Sequence, residues 1–321
     1  YPETDTSYVS CHLSPEGIRQ ALHSCPQRVT AVYVTSPDYL GHMLDIRGIA
    51  EICHQAGALL LVDNAHGAYL RFLPQSCHPM ELGADICCDS AHKTLGVLTG
   101  GAYLHISHDA PEWLAQQAKA SMSLFGSSSP SYLILQSLDA ANDRMARFRD
   151  DLADLLPKAA ALKRRLSDRG YMLTGEEPLK VTICPKSFGY TGTEIAATLE
   201  ENGAFPEFYD PDHVVLMLSP WNSDDDLVRL ERTLCSIPQR TPIILTPPPV
   251  PHPVRVMTPR QALFAVSERL PLEDCCGRIS AAAAISCPPA IPLVVCGERI
   301  DQQVIACLRY YGVSACMVIQ E

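Results

Sequence analysis

Between Val29 and Leu104, short apolar runs alternate with amphipathic stretches in the order strand, helix, strand, short helix, strand, strand. A strand covered on both faces reads as a continuous apolar run, whereas a surface helix repeats its apolar residues at the helical period, so this alternation predicts a doubly wound α/β layer. Residues 30–35 and 58–62 predict strands of that layer. Asp45 predicts the cap of a helix carrying Ile49 and Ile52, and Gly57 its end. Residues 85–88 and 102–106 predict two further short strands, and a helical region begins within residues 131–138. From Asp150 to Arg169, Leu152, Leu155, Leu156, Leu162 and Leu166 share one helical face and charges fill the other, which is the mark of a solvated helix.

A second, smaller α/β layer is predicted downstream. Residues 180–184 and 214–218 read as strands, residues 193–201 as a helix, and Ser223 as the cap of another. Asp224, Asp225 and Asp226 then occupy a first helical turn, where the dipole favours anions, and read as helix chemistry in preference to a metal site. Eight prolines between Pro238 and Pro259 predict an extended linker. The resulting division is 1–150, 151–240, a linker at 241–258 and a C-terminal module at 259–321.

Length and charge narrow the function classes. The 321 residues suffice for about two domains. Apolar residues make up 47%, and 25 Lys plus Arg against 36 Asp plus Glu leave a net charge of −11. An acidic chain lacks the basic excess expected of a nucleic-acid partner and suits a cationic small substrate. None of the 14 cysteines forms a Cys-x-x-Cys pair, so Cys53, Cys184 and Cys307 read as small core hydrophobes in a reducing compartment, with the cytoplasm as the expected location. Residues 279–297 are uncharged but carry Pro288, Pro289 and Pro292, so no membrane span is expected. His42, His54, His78, His105, His108, His213 and His252 show no metal-ligand spacing and receive no role; no metal is expected. Trp113 and Trp221 read as core or rim aromatics.

Asp63 directly follows an apolar strand, and Lys93 follows the next strand within Ser90-Ala-His-Lys-Thr94. Open α/β sheets carry their chemistry at the carboxyl ends of strands. A strand-end carboxylate paired with a strand-end lysine, itself preceded by a hydroxyl and an imidazole, is what pyridoxal 5'-phosphate requires: an amine to bind it covalently, an acid for its ring nitrogen and donors for its phosphate. Here the sequence resembles the bacterial ornithine/lysine/arginine decarboxylases of fold type I. The resemblance rests on Thr35-Ser-Pro-Asp-Tyr-Leu-Gly41, Leu61-Val-Asp-Asn-Ala-His-Gly67, Asp89-Ser-Ala-His-Lys-Thr-Leu95 and Phe125-Gly-Ser-Ser-Ser-Pro-Ser-Tyr132. In the C-terminal module it adds Gly277-Arg-Ile-Ser280, then Pro288-Pro-Ala-Ile-Pro292 followed by Gly297 and Glu298. Departures from the family pattern fall at Asp38, Asn64, Gly96 and Ala290, and none removes a catalytic group.

The resemblance implies an aspartate-aminotransferase-like major domain, incomplete at its N-terminus, with smaller C-terminal α/β modules. It implies that Lys93 binds the cofactor, Asp63 faces the pyridine nitrogen, Ala65 lies under the ring and His66 stands by its phenolic oxygen. Ser90 and His92 would contact the phosphate, and Ser128 that of a neighbouring subunit, which implies a homodimer with shared sites. Glu298 is the candidate for the distal cation of a basic amino-acid substrate, following the proline segment by a short strand. The implied reaction is decarboxylation of arginine, lysine or ornithine to the amine that polyamine metabolism uses. A glycine-rich phosphate loop and a histidine stacking on the ring are expected upstream of Tyr1, so the chain by itself is expected to bind the cofactor poorly. Amino transfer on the same cofactor, or a catalytically silent fragment, are the rival readings.

Overall fold

A computed structural model of the chain describes residues 13–126, 129–282 and 292–320. Helix α1 (Pro15–Ser24) leads into β1 (Ala31–Thr35), α2 (Ile46–Gln55), β2 (Leu59–Asp63), β3 (Ile86–Asp89), the short α3 (Ala91–Thr94) and β4 (Tyr103–Ile106). The strands form one sheet in the order β1-β2-β3-β4, the first three parallel and β4 antiparallel to β3. Asp45 caps α2 by accepting from the Gly48 amide, and Gly57 leaves it at φ 68°, a left-handed turn that costs glycine nothing.

Each of these predicted strands lies within a residue of its expected place, and the shifts matter at two ends. β2 runs on to include Asp63, and β3 to include Asp89. The two faces of β2 also differ from expectation. Leu60 and Val62 are buried against α1 and α2, with Ile18, Ile49 and Cys53, while Leu59, Leu61 and Asp63 are only half-buried. Alternation along a strand sends successive side chains to opposite faces. Asp63 therefore shares the open face with Tyr33, which is 65% exposed, and Cys88, whereas Asp89 points to the buried one.

Helices α4 (Glu112–Phe125), α5 (Tyr132–Met145) and α6 (Phe148–Arg169) follow. α6 buries Leu152, Leu155, Leu162 and Leu166 and half-buries Leu156, as its pattern predicts, and ends at Gly170 with φ 109°. The second layer comprises β5 (Met172–Thr174), β6 (Lys180–Cys184), α7 (Gly192–Glu201), β7 (Phe208–Tyr209), β8 (Val214–Met217) and α8 (Asp224–Ser236). Its sheet, in the order β5-β6-β8-β7, is antiparallel throughout. The three acids after Ser223 do sit in the first turn of α8, where Asp226 closes a capping box with Ser223 and pairs with Arg229.

Residues 241–254 contain no regular element. Beyond them α9 (Pro259–Leu263), β9 (Ser267–Pro271), α10 (Gln302–Tyr310) and β10 (Ala315–Ile319) enclose a core of Leu272, Ile300, Val304, Leu308 and Val318, with β9 and β10 antiparallel. Cys53 and Cys307 are buried as expected, but Cys184 is half-exposed because it lines a cavity. Trp221 lies at a rim, against Phe148. Among the described residues, no helix is long and apolar enough to cross a membrane.

Candidate active site

Parallel pairing sets Asp63 beside Cys88, so β2 and β3 end together, and α3 carries Lys93 just past that edge. Lys93 Nζ lies half-buried, 3.0 Å from His66 Nε2 and 5.9 Å from the centroid of the Tyr39 ring. Burial lowers its pKa, and the carboxylates of Glu207 and Asp63 offset part of that shift. His66 is buried, and burial together with Lys180, Lys93 and His92 drives its pKa down to about 2. It is therefore neutral, with the Nε2 lone pair accepting from Lys93 and the proton on Nδ1, which meets no partner among the described residues. Tyr39 packs edge-on against His66, with ring centroids 4.7 Å apart.

Asp63 is held from two sides. Its Oδ1 accepts from the Ala65 amide at 3.0 Å and its Oδ2 from the Tyr33 hydroxyl at 3.1 Å. Ala65, half-buried, separates Asp63 from His66 in the turn after β2. Ser90 precedes α3 but its hydroxyl caps none of that helix's amides. His92 donates from Nδ1 to the Gly101 carbonyl at 3.0 Å, which fixes its ring. The structure thus gathers Lys93, His66, Asp63, Ala65, Ser90 and His92 at one sheet edge. Ser128 lies outside the described residues. Glu298 sits in a turn, not after a short strand: its Oε2 accepts from the Val295 amide at 2.9 Å, and its backbone bridges Arg255.

Five residues that sequence reasoning did not single out come from the second layer or reach it. Lys180, at the start of β6, donates to the Asp38 and Tyr39 carbonyls at 2.9 and 3.2 Å and lies 5.5 Å from the Tyr39 ring. Its own amide donates to Glu177, which also accepts the Tyr69 hydroxyl. Burial raises the Glu177 carboxyl and lowers the Lys180 ammonium, while each opposes the shift of the other. The Tyr39 hydroxyl donates to Glu207 at 3.2 Å, and Tyr39 rises to about 12 through burial and that carboxylate. The only local hint was a lysine opening an otherwise apolar strand.

A further correction concerns the histidines. His78 and His105, expected to have no role, both donate from Nε2 to Asp89 Oδ2 at 2.9 Å. Asp89 Oδ1 accepts from Asn64 Nδ2 at 2.7 Å, and from the Cys87 thiol. These bonds, led by those from His105 and His78, hold Asp89 well below the usual carboxylate range despite burial, which alone would raise it. Ligand atoms of His78, Cys87 and Asp89 lie within 4.8 Å of one another. However, His78 Nδ1 accepts the Met80 amide, so its Nε2 bears the hydrogen and offers no lone pair to a metal. The cluster is a brace between Asn64, next to Asp63, and Asp89, just ahead of Lys93.

Residues 6–183 match the family model "Orn/Lys/Arg decarboxylase, major domain", and residues 248–317 match "Orn/Lys/Arg decarboxylase, C-terminal domain". An arginine decarboxylase of Bacillus subtilis (strain 168) is 31% identical across 94% of this chain and 66% of its own length. Among solved structures, lysine decarboxylase A from Pseudomonas aeruginosa superposes with a TM-score of 0.73 at 15% identity, over 96% of this chain and 60% of that one. The serine palmitoyltransferase of Sphingomonas wittichii does so with a TM-score of 0.56 at 18% identity, over 70% and 59%. The chain thus spans 66% of the length of the Bacillus subtilis relative.

Proposed function

This chain belongs to the Orn/Lys/Arg decarboxylases, and from that membership we propose that it takes part in pyridoxal-phosphate-dependent decarboxylation of a basic amino acid. The observation that carries the reading is a half-buried lysine amine, lowered in pKa and hydrogen-bonded to a neutral histidine, at the strand end beside Asp63. The match at residues 248–317 favours decarboxylation over amino transfer.

The donor set fits the cofactor. Lys93 is the amine that would bind it: the lone pair of His66 Nε2 orients its Nζ, and the burial that lowers its pKa favours the neutral, nucleophilic form. Asp63, kept aimed by Ala65 and Tyr33, would hold a proton on the ring nitrogen. Ala65 offers a small surface beneath a ring, and the uncommitted Ser90 hydroxyl and the fixed His92 are suited to a phosphate. When bound, the cofactor supplies a sink for the electron pair left on the α-carbon as carbon dioxide departs. Lys93 Nζ would then return a proton to that carbon. In the same reading Ser128 serves the site of a second copy in a homodimer. Glu207, which acts on Lys93 across Tyr39, is a stronger candidate for the substrate's distal cation than Glu298, whose carboxylate is engaged in its own turn.

Borohydride reduction of the cofactor-loaded protein followed by peptide mapping tests the assignment. The pyridoxyl label is expected on Lys93, and a label on Lys119 or Lys186 would overturn it. Asp63→Asn should reduce turnover by orders of magnitude more than it reduces cofactor content; equal losses would make Asp63 a structural residue.

A further inference from the structure

Just past Lys93, Gly96 turns the chain away from α3 with φ 69°. The Leu95 amide makes the last bond of α3, to the Ala91 carbonyl at 2.8 Å, and Leu95 and Val97 on either side of Gly96 are buried in the core that also holds Phe148 and Leu218. Against Gly96 itself lies the indole of Trp221, from the loop between β8 and α8. A Cβ built on Gly96 would stand 2.6 Å from Cζ2 and 2.9 Å from Cη2 of that ring, well inside carbon–carbon contact. The ring therefore occupies the space that any side chain at position 96 would need.

A stiff turn presents this indole. Asn222 Oδ1 accepts from the Ser219 amide at 2.8 Å, and the Asn222 amide donates to the Ser219 carbonyl at 3.0 Å. Ser223 and Asp226 then close the capping box of α8, and Lys158 of α6 reaches Asp224 at 2.7 Å. The ring is flanked by Phe148, with centroids 5.9 Å apart, and by the Arg144 guanidinium, 5.7 Å from its centroid. By contrast α3 is a single turn of four residues, which has too few internal bonds to hold its own shape, and the Ser90 hydroxyl caps none of its amides. Its position is set by what packs on its ends.

We propose that Trp221 is a positioning residue for Lys93: its indole, carried by the second layer, seats on Gly96 and fixes the turn that closes α3, and with it the direction of the amine. The second layer then holds the site at two points of the chain, through Lys180 on the carbonyls of residues 38 and 39 and through Trp221 on Gly96. The proposal deepens the decarboxylation reading, on which the use made of Lys93 rests.

The test acetylates the cofactor-free chain with acetic anhydride over a range of pH and reads the labelling of Lys93, against the exposed Lys119, by peptide mapping. Only the neutral amine reacts, so the midpoint of the profile reports the ionisation of Lys93. Trp221→Ala removes the ring, at a residue 43% exposed and so tolerant of change, and Gly96→Ala pushes it from its seat. In both, water gains access to Lys93, and the midpoint is expected to rise by about one unit, a tenfold loss of neutral amine at a given pH. The charges around the amine, Glu207, Asp63 and Lys180, are the same in every variant. Trp221→Phe, which keeps an aromatic ring, should recover part of the shift, and Trp113→Phe should cause none. In that last background Trp221 is the one remaining indole of the chain, and Gly96→Ala should move its emission to the red. An unmoved midpoint in either variant that keeps the parent's circular dichroism, or an equal rise in Trp113→Phe, would overturn the proposal. A raised midpoint with the borohydride label away from Lys93 would support the contact and remove only the decarboxylation reading. A label on Lys93 with an unmoved midpoint would do the reverse.

Discussion

Glu207 and Glu298 are the two candidate partners for a substrate cation, and they differ in how far each is already committed. A guanidinium or ammonium leaving water needs a carboxylate that is not already committed, since an unpaired charge is far costlier to desolvate than a paired one. Glu298 Oε2 accepts from the Val295 amide in its own turn, whereas Glu207 Oε1, among the described residues, takes the weaker hydroxyl donor Tyr39 and its charge already acts on Lys93. Glu207→Gln is therefore expected to raise KM for arginine or lysine about tenfold, or about 1.4 kcal/mol, with little change in kcat. The uncharged analogue norleucine should show no such loss. Steady-state kinetics on the three substrates check this, and a loss confined to Glu298→Gln would transfer the role to the C-terminal module.

At the level of elements, Asp63 and Lys93 were legible because each directly follows its own short apolar strand, so a local pattern sufficed to place both at a sheet edge. Tyr39, Lys180 and Glu207 were not, because their meeting depends on how the antiparallel second layer approaches the first, across 141 residues between Tyr39 and Lys180. The brace at Asp89 was hidden because His78, Asp89 and His105 have no metal-like spacing: the β3–β4 pairing, with Cys87 opposite His105, brings in His105, and the turn that His78 caps ahead of β3 brings in His78. Asp89→Asn keeps the shape but replaces an acceptor by a donor, leaving one or both histidines and Asn64 without their bond. Loss of one partner from a buried charged network costs about 3 kcal/mol or more. Urea denaturation should show that loss, and turnover should fall with it as the ends of β2 and β3 separate. A variant of unchanged stability would mean that the two strand ends are held by their backbone ladder alone.

Stability in acid is a property of the whole chain, because every group whose pKa changes on folding contributes to it. His66 contributes with a defined sign. Burial, with Lys180, Lys93 and His92, holds its folded pKa at about 2, well below its ordinary value of 6.5. Between those values the unfolded chain binds a proton at this position and the folded chain does not, so protonation favours unfolding. His66 therefore leaves stability untouched above pH 6.5 and withdraws it progressively as the pH falls below that value. Each unit of pH costs about 1.4 kcal/mol, so the step from pH 7 to pH 5 removes about 2 kcal/mol through this residue. Asp89, with its pKa lowered, also destabilises on acidification, but only once the pH nears the carboxylate range. The two effects therefore separate, and because Glu177, His42 and His213, whose pKa values are raised, act with the opposite sign in the same interval, it is the comparison of the parent with a His66 variant that isolates this histidine. His66→Gln, which keeps a polar side chain without titrating, should be less stable than the parent at pH 7 yet lose about 2 kcal/mol less on going to pH 5. Urea midpoints of the cofactor-free chain at the two pH values measure the difference, and parallel losses in both proteins would show that His66 is protonated in the folded chain and that its neutral contact with Lys93 has been misassigned.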